Sequence, residues 1–197
     1  MIKRFGDYDK TQTYGDNKLP KGGYILKVLA VDNKSGNYGD YLVINYDIAE
    51  GQFKDFYLKD YKAQQSEDKK WRGKYLLNVP TDDGSEQDGW TKRKFKTFTT
   101  ALEDSNEGYH FDWDEQKFKG KMFGGLFNEK EFEKDDGSVG VYVSIGGVCS
   151  VDKIASGEYK LPKDKPLKNR QQAYSYDQTD SGFMDIPEGA DSELPFA

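Results

Sequence analysis

The sequence holds one cysteine, Cys149, among 197 residues. A lone thiol excludes an internal disulfide and any zinc centre built from several cysteines. No apolar run approaches the roughly 20 residues that a membrane span requires. The amino terminus, Met1 to Lys10, is charged and aromatic, unlike a secretion signal. A phosphate-cradling loop is missing too: the Gly-Lys pairs at 73–74 and 120–121 are followed by Tyr75 and Met122, where a nucleotide-binding loop needs Ser or Thr. These absences predict a cytoplasmic protein with no membrane anchor, no cofactor and no metal.

Positive charge is missing from one place in particular. After Arg170 there is no Lys or Arg, while Asp177, Asp180, Asp185, Glu188, Asp191 and Glu193 supply six acids. The 35 acids of the whole chain less those six leave 29, equal to the 29 bases. The net charge of -6 therefore belongs to the tail, and the body is formally neutral. That removes the apparent conflict between an acidic protein and a polyanionic partner, because phosphate binding needs only a local positive surface.

Aromatic residues are abundant, with 14 Tyr, 12 Phe and 3 Trp, and 21 Gly accompany them. This mixture favours strands joined by tight turns. Strand-like runs are predicted at Tyr24 to Val31 and Tyr41 to Ala49, forming a long hairpin. A third is predicted at Phe53 to Tyr61, with Phe53, Tyr57 and Tyr61 on one face beside Lys59, and Phe56 and Leu58 on the other. Residues 62 to 91 show no sustained period and read as a long loop. Phe95, Phe98 and Leu102 recur at helical spacing within Lys92 to Ser105, with Thr91 as the cap and Gly108 as the stop. Two further strands, Lys121 to Phe132 and Val139 to Ile154, are joined by the turn Lys134-Asp-Asp-Gly137.

The order of three strands, a helix and two strands is that of the OB fold, a five-stranded antiparallel Greek-key barrel that binds oligonucleotides. An open antiparallel sheet with one covering helix fits the same order. The expected division is a polar arm at 1–17, an OB-type domain at 18–160 and a disordered acidic tail at 161–197. In that tail Pro162, Pro166, Pro187 and Pro195 interrupt a polar stretch with too little apolar content to offset chain entropy.

The strongest chemical theme is basic residues interleaved with aromatics. Unpaired nucleic acid is held by cations that track its phosphates and by rings that stack its bases. Three stretches fit: Lys54, Tyr57, Lys59 and Tyr61; Lys69, Lys70, Trp71, Arg72, Lys74 and Tyr75; and Trp90, Lys92 and Arg93 with Lys94. Trp71, among four cations in a predicted loop, is poorly explained by core packing. His110, within Tyr109-His-Phe-Asp-Trp-Asp114, reads as a turn that packs Phe111 and Trp113 on the barrel. It lacks the further ligands of a metal site and the nucleophile of a hydrolytic triad. In the tail, Asp191, Glu193, Leu194, Pro195 and Phe196 combine carboxylates with an apolar tip, suited to a pocket with a basic rim.

Several motifs in order resemble a bacteriophage and prophage family of Gram-positive hosts. They are Leu19-Pro-Lys-Gly-Gly-Tyr24, the run Leu42 to Lys54, Lys70-Trp-Arg-Gly-Lys-Tyr75, Phe98 to Asn106, Phe111-Asp-Trp-Asp114 and Gly120-Lys121. The similarity covers roughly residues 15 to 168. The family is encoded among replication and recombination genes, and its members are regarded as single-stranded DNA-binding proteins. The tail separately resembles the acidic tips of bacterial and phage single-strand binders, except that Ala197 follows Phe196. The resemblance implies a non-catalytic, sequence-independent binder of single-stranded DNA from a phage or mobile element; OB-type binders often self-associate, which adds a homodimer to the expectations. Its tail would recruit a helicase, primase, polymerase or recombinase. The rival readings are a protein-interaction module without DNA, such as a phage assembly component or an inhibitor of a host enzyme, and a metal-dependent nuclease.

Overall fold

The computed structural model describes residues 18–37 and 39–167, together with Lys3, Gly6 and Tyr8. The chain is mostly β. Five strands run in sequence as β1 (Gly22–Gly36), β2 (Gly39–Ile48), β3 (Lys74–Asn78), β4 (Met122–Glu133) and β5 (Val139–Cys149). Three α-helices interrupt them: α1 (Phe56–Ala63), α2 (Glu86–Ser105) and α3 (Val151–Ser156). A short 3-10 helix at Glu115–Phe118 precedes β4.

All pairings are antiparallel, in the order β3-β2-β1-β4-β5. A fourth strand returning to lie beside the first of three consecutive ones is the Greek-key arrangement. The sheet is open: β3 and β5 are its two ends. Helix α2 packs against β3, β4 and β5, so it spans the gap that pairing leaves.

Alternation builds the core. Leu42, Ile44, Tyr46 and Ile48 of β2 are buried, as are Leu26 and Val28 of β1 and Phe123 and Phe127 of β4. Phe98 of α2 enters this layer, stacked on Tyr75 at 5.7 Å and edge-on to Phe123 at 5.2 Å. Edge-on and offset ring pairs each add about 0.5–1.5 kcal/mol beyond burial. Rings thus fill volume that the sparse leucines do not.

Four expectations are corrected. Phe53 to Tyr61 is not a strand: Phe56–Ala63 is helix α1. Spacing four residues apart lies on one face of a strand and of a helix alike, so Phe53, Tyr57 and Tyr61 fit both periods. A distant contact settles the matter. The buried Asp47 carboxylate of β2 accepts hydrogen bonds from the N–H groups of Ile48, Tyr57 and Leu58 at 2.8, 2.9 and 3.0 Å. Two of those three donors belong to the first turn of α1, whose own cap residue, Asp55, makes no side-chain cap bond. A carboxylate at a helix amino terminus satisfies orphan N–H groups and opposes the helix dipole.

The second correction is that residues 62 to 91 are not one loop, since they contain β3 and the start of α2. Gly73 leads into β3 so close to β2 that a Cβ would lie 2.3 Å from the Tyr46 carbonyl oxygen. Third, α2 begins at Glu86 and is capped by Ser85, whose hydroxyl accepts from the Asp88 N–H at 3.1 Å. Thr91, the predicted cap, sits inside the helix and donates to the Gln87 carbonyl.

Finally, the predicted fifth strand ends at Cys149 and continues as α3, while residues 161–167, expected in the tail, run along β4. There Glu131 N–H donates to the Lys165 carbonyl and Lys165 N–H to the Glu129 carbonyl, both at 2.9 Å. Asp164 adds an ion pair with Lys21 at 2.7 Å.

Candidate nucleic-acid interface

The predicted binding residues separate into three environments. Tyr57 and Tyr75 are core residues. Tyr57 is only 8% exposed and packs edge-on to Tyr46 at 5.4 Å, and burial pushes its hydroxyl pKa up. Tyr75 stacks on Phe98, and burial raises its pKa as well. Neither offers a free ring face, which corrects their expected place among the platforms. The cause is register: Tyr75 lies opposite Ile44 and points with it to the inner face, leaving Lys74 and Leu76 outside.

The second environment surrounds α1. Trp71 is half-buried, and its indole N–H donates to the carbonyls of Tyr46 at 3.2 Å and Gly73 at 3.0 Å. It therefore helps lock β3 to β2. Its ring stands 5.9 Å from Tyr61, over which Lys69 Nζ sits at 5.9 Å. Trp71 also lines a cleft of about 540 Å³ with Lys27, Leu29, Lys54, Leu58 and Met122. Several cations here are already engaged. Arg72 pairs with Asp60 at 3.1 Å, Lys70 with Asp68 at 3.6 Å, and Lys59 Nζ donates to the Lys54 carbonyl at 2.7 Å.

The third environment is built on α2. Its inner face carries Phe95, Phe98 and Leu102 into the core. Trp90, Arg93 and Lys94, spaced i, i+3 and i+4, share one flank. Trp90 is 54% exposed, with the Arg93 guanidinium 4.9 Å over its ring. Lys94 lies 5.5 Å over the Tyr75 ring.

Lys130 of β4 is bridged to Lys165 of the segment beside it, and the charges of these two and Lys94 act on one another. No carboxylate within salt-bridge distance of these three is found among the described residues. Desolvation lowers the Lys94 pKa, and the Lys165 charge lowers it further; Lys130 is lowered by desolvation, then by Lys165 and Lys94. Lys94 nonetheless reaches solvent. Three ammonium groups whose charges bear on one another, with no ion-pair partner among the described residues, make this flank locally positive.

The opposite flank of α2 is different. Lys92 is held between Asp82 and Asp88, the latter at 2.8 Å, and these hydrogen bonds raise its pKa. Buried Asp88 also accepts from the N–H groups of Thr81 and Asp82, so Lys92 helps fasten the 79–82 segment to the helix. On this side lies a cleft of about 790 Å³ whose walls include Phe95, Phe111 and Trp113. Phe111 packs toward the core as expected, but Trp113 does not: it is 81% exposed. The only sequence signal for it was an aromatic among acids in a turn, the pattern read as packing.

The sequence named Trp90, Lys92, Arg93 and Lys94 but missed Lys130, Lys165 and Trp113. Lys130 and Lys165 meet only because the chain returns to the edge of β4. Among the described residues, no three His, Cys, Asp or Glu side chains come together as a metal-binding group. No described helix is long and apolar enough to cross a membrane. Residues Asp191, Glu193, Leu194, Pro195 and Phe196 lie outside the described residues. In comparisons with known proteins, neither a family model nor a curated protein matches this chain.

Proposed function

We propose that this protein binds single-stranded DNA, independently of sequence and without a catalytic step, in the replication or recombination of a phage or mobile element. The observation that carries the reading is the Lys94–Lys130–Lys165 cluster on the flank of α2 that bears the Trp90–Arg93 pair. Crowding three like charges, with no ion-pair partner among the described residues, is unfavourable in the free protein, and a polyanion relieves it. A ring with an arginine across its face supplies the adjoining surface for a base, since stacking on aromatic side chains is worth about 1–3 kcal/mol per base.

The fold reading is an OB-type barrel left partly open between β3 and β5. The Greek-key order and a helix following β3 support it. The relationship to phage single-strand binders belongs to the same proposal, as does recruitment of replication or recombination proteins by the acidic tail. In this reading the α1 cleft is secondary, because Asp47, Glu50 and Asp55 line it together with Lys27 and Lys54.

Electrophoretic shift of a labelled oligothymidine against a duplex of equal length tests the function. Binding should favour the single strand and weaken steeply with salt. Equal affinity for both forms, or no shift of either at low salt, refutes it.

A further inference from the structure

Trp113 is placed at a double cost. Its backbone is left-handed, with φ of 68°, a region that bulky residues rarely occupy. Glycine or asparagine makes such a turn with less strain. Its indole is also 81% exposed and forgoes the stabilisation that a large ring gains by burial. The neighbours do not require tryptophan. Phe111 reaches the core through Phe118 at 5.3 Å and Phe95 at 5.8 Å, and the Asp114 carboxylate caps the 3-10 helix by accepting from Gln116 N–H. Persistent strain of this kind concentrates where a side chain must be held in position for a ligand.

The strained turn holds the indole against the cleft beside α2, 5.4 Å from the Phe111 ring. Trp113, Phe111 and Phe95 form a short aromatic ladder from solvent to core. The charges at the rim pair off except for Glu115, which leaves the cleft slightly acidic. Asp82 is taken by Lys92, while Glu103 accepts from Phe111 N–H at 2.9 Å and pairs with Lys96 at 3.8 Å. A cleft with open ring faces and little net charge suits a planar, weakly charged group rather than a phosphate.

We propose that this cleft is a nucleobase-stacking site in which Trp113, backed by Phe111, receives the face of one unpaired base. The inference rests on the single-strand reading above and adds the platform that reading lacks on this flank of α2. An unpaired base fits because the cleft adjoins the helix that carries the phosphate-binding cations on its other side. Base-paired nucleotides present no free face, so the site also favours single strands over duplex.

Stacking and phosphate neutralisation leave different signatures. In the full chain, Trp113→Ala should weaken oligothymidine binding roughly 5- to 150-fold, the equivalent of one lost stack. The slope of log affinity against log salt should stay that of the parent, because no phosphate contact is removed. Trp113→Phe should recover most of the loss, and thermal melts of both variants should equal or exceed the parent's. A parent that binds single strands alongside a Trp113→Ala variant of equal affinity overturns the stacking site and leaves the function standing. A loss that Trp113→Phe fails to recover, or one that comes with a changed salt slope, also overturns it. A parent with no affinity at low salt removes the function and this site together.

Discussion

Replacing Lys94, Lys130 and Lys165 together by Gln removes three charges that have no ion-pair partner among the described residues, while keeping polar side chains with part of each aliphatic stem in place. Each single-strand phosphate neutralised contributes about 0.7 to the salt slope of log affinity, so three contacts account for about 2. Raising salt from about 50 to about 200 mM should therefore cost the parent about 20-fold more affinity than the variant. The free protein should not suffer, because Lys94 and Lys130 are depressed by desolvation and by neighbouring lysine charge, and the substitution relieves both. Against that stands one ammonium over the Tyr75 ring, at 5.5 Å, worth about 0.5–1 kcal/mol at an exposed site. Fluorescence anisotropy of a labelled oligothymidine over a salt series measures the slope, and thermal melting monitors the fold. An unchanged slope with an intact fold would show that phosphates do not cross this cluster, and the functional reading would lose its basis.

Two other perturbations follow from the same structure. Asp47→Ala leaves three N–H donors of Ile48, Tyr57 and Leu58 without their acceptor, and bonds to a charged group contribute about 1.5–3 kcal/mol each without being additive. Chemical denaturation should show a loss of about 3–5 kcal/mol, and a loss under about 1 kcal/mol would remove Asp47 as the anchor of α1. The second concerns alkaline pH. Lys94 and Lys130 are lowered from 10.5 in the free protein, and a bound phosphate favours their charged forms, so binding takes up protons. Affinity should fall as pH rises through the depressed values toward 10.5, and Lys94→Arg should flatten that fall because guanidinium stays charged. The free protein should gain stability over the same interval: a folded-state pKa below the unfolded one imposes its full cost at lower pH and sheds it as the amine deprotonates. A profile that is flat in the parent contradicts the assignment.

Part of this architecture is legible in the residues alone, and the boundary has physical causes. Leu42, Ile44, Tyr46 and Ile48 announce β2 because one sheet face is buried over ten residues. Phe95, Phe98 and Leu102 announce α2 because their spacing fits only the helical period. The α1 segment is ambiguous by spacing, and it is decided by a carboxylate in another element. Strand β3 has five residues, with Leu76 facing outward, too short and too apolar for alternation to show. In the site, the basic and aromatic character of α2 is local and therefore visible. Tyr57 and Tyr75 are misleading because composition does not reveal which way a ring turns. The meeting of Lys94, Lys130 and Lys165 depends on chain return, and the exposure of Trp113 depends on one left-handed residue.

The aromatic surplus therefore divides unequally between structure and surface. Tyr24, Tyr46, Tyr57, Phe123 and Phe127 join through edge-on contacts into a continuous network beneath the sheet, which leaves few large rings for a ligand. Two of the three tryptophans, Trp90 and Trp113, are among the exposed rings: Trp90 lies on α2, and Trp113 lies on the turn that borders the cleft beside it. That helix is a firm support for Trp90 and a firm wall for the Trp113 cleft, because its middle is fixed on the inner side by Phe95, Phe98 and Leu102 and its start is tied by Ser85 and Asp88. A rigid support reduces the ordering cost of binding, so a few rings and cations can suffice where a mobile loop would need more. Charge on one flank and stacking on the other is also a division that experiment can separate, since salt weakens the first and leaves the second nearly untouched.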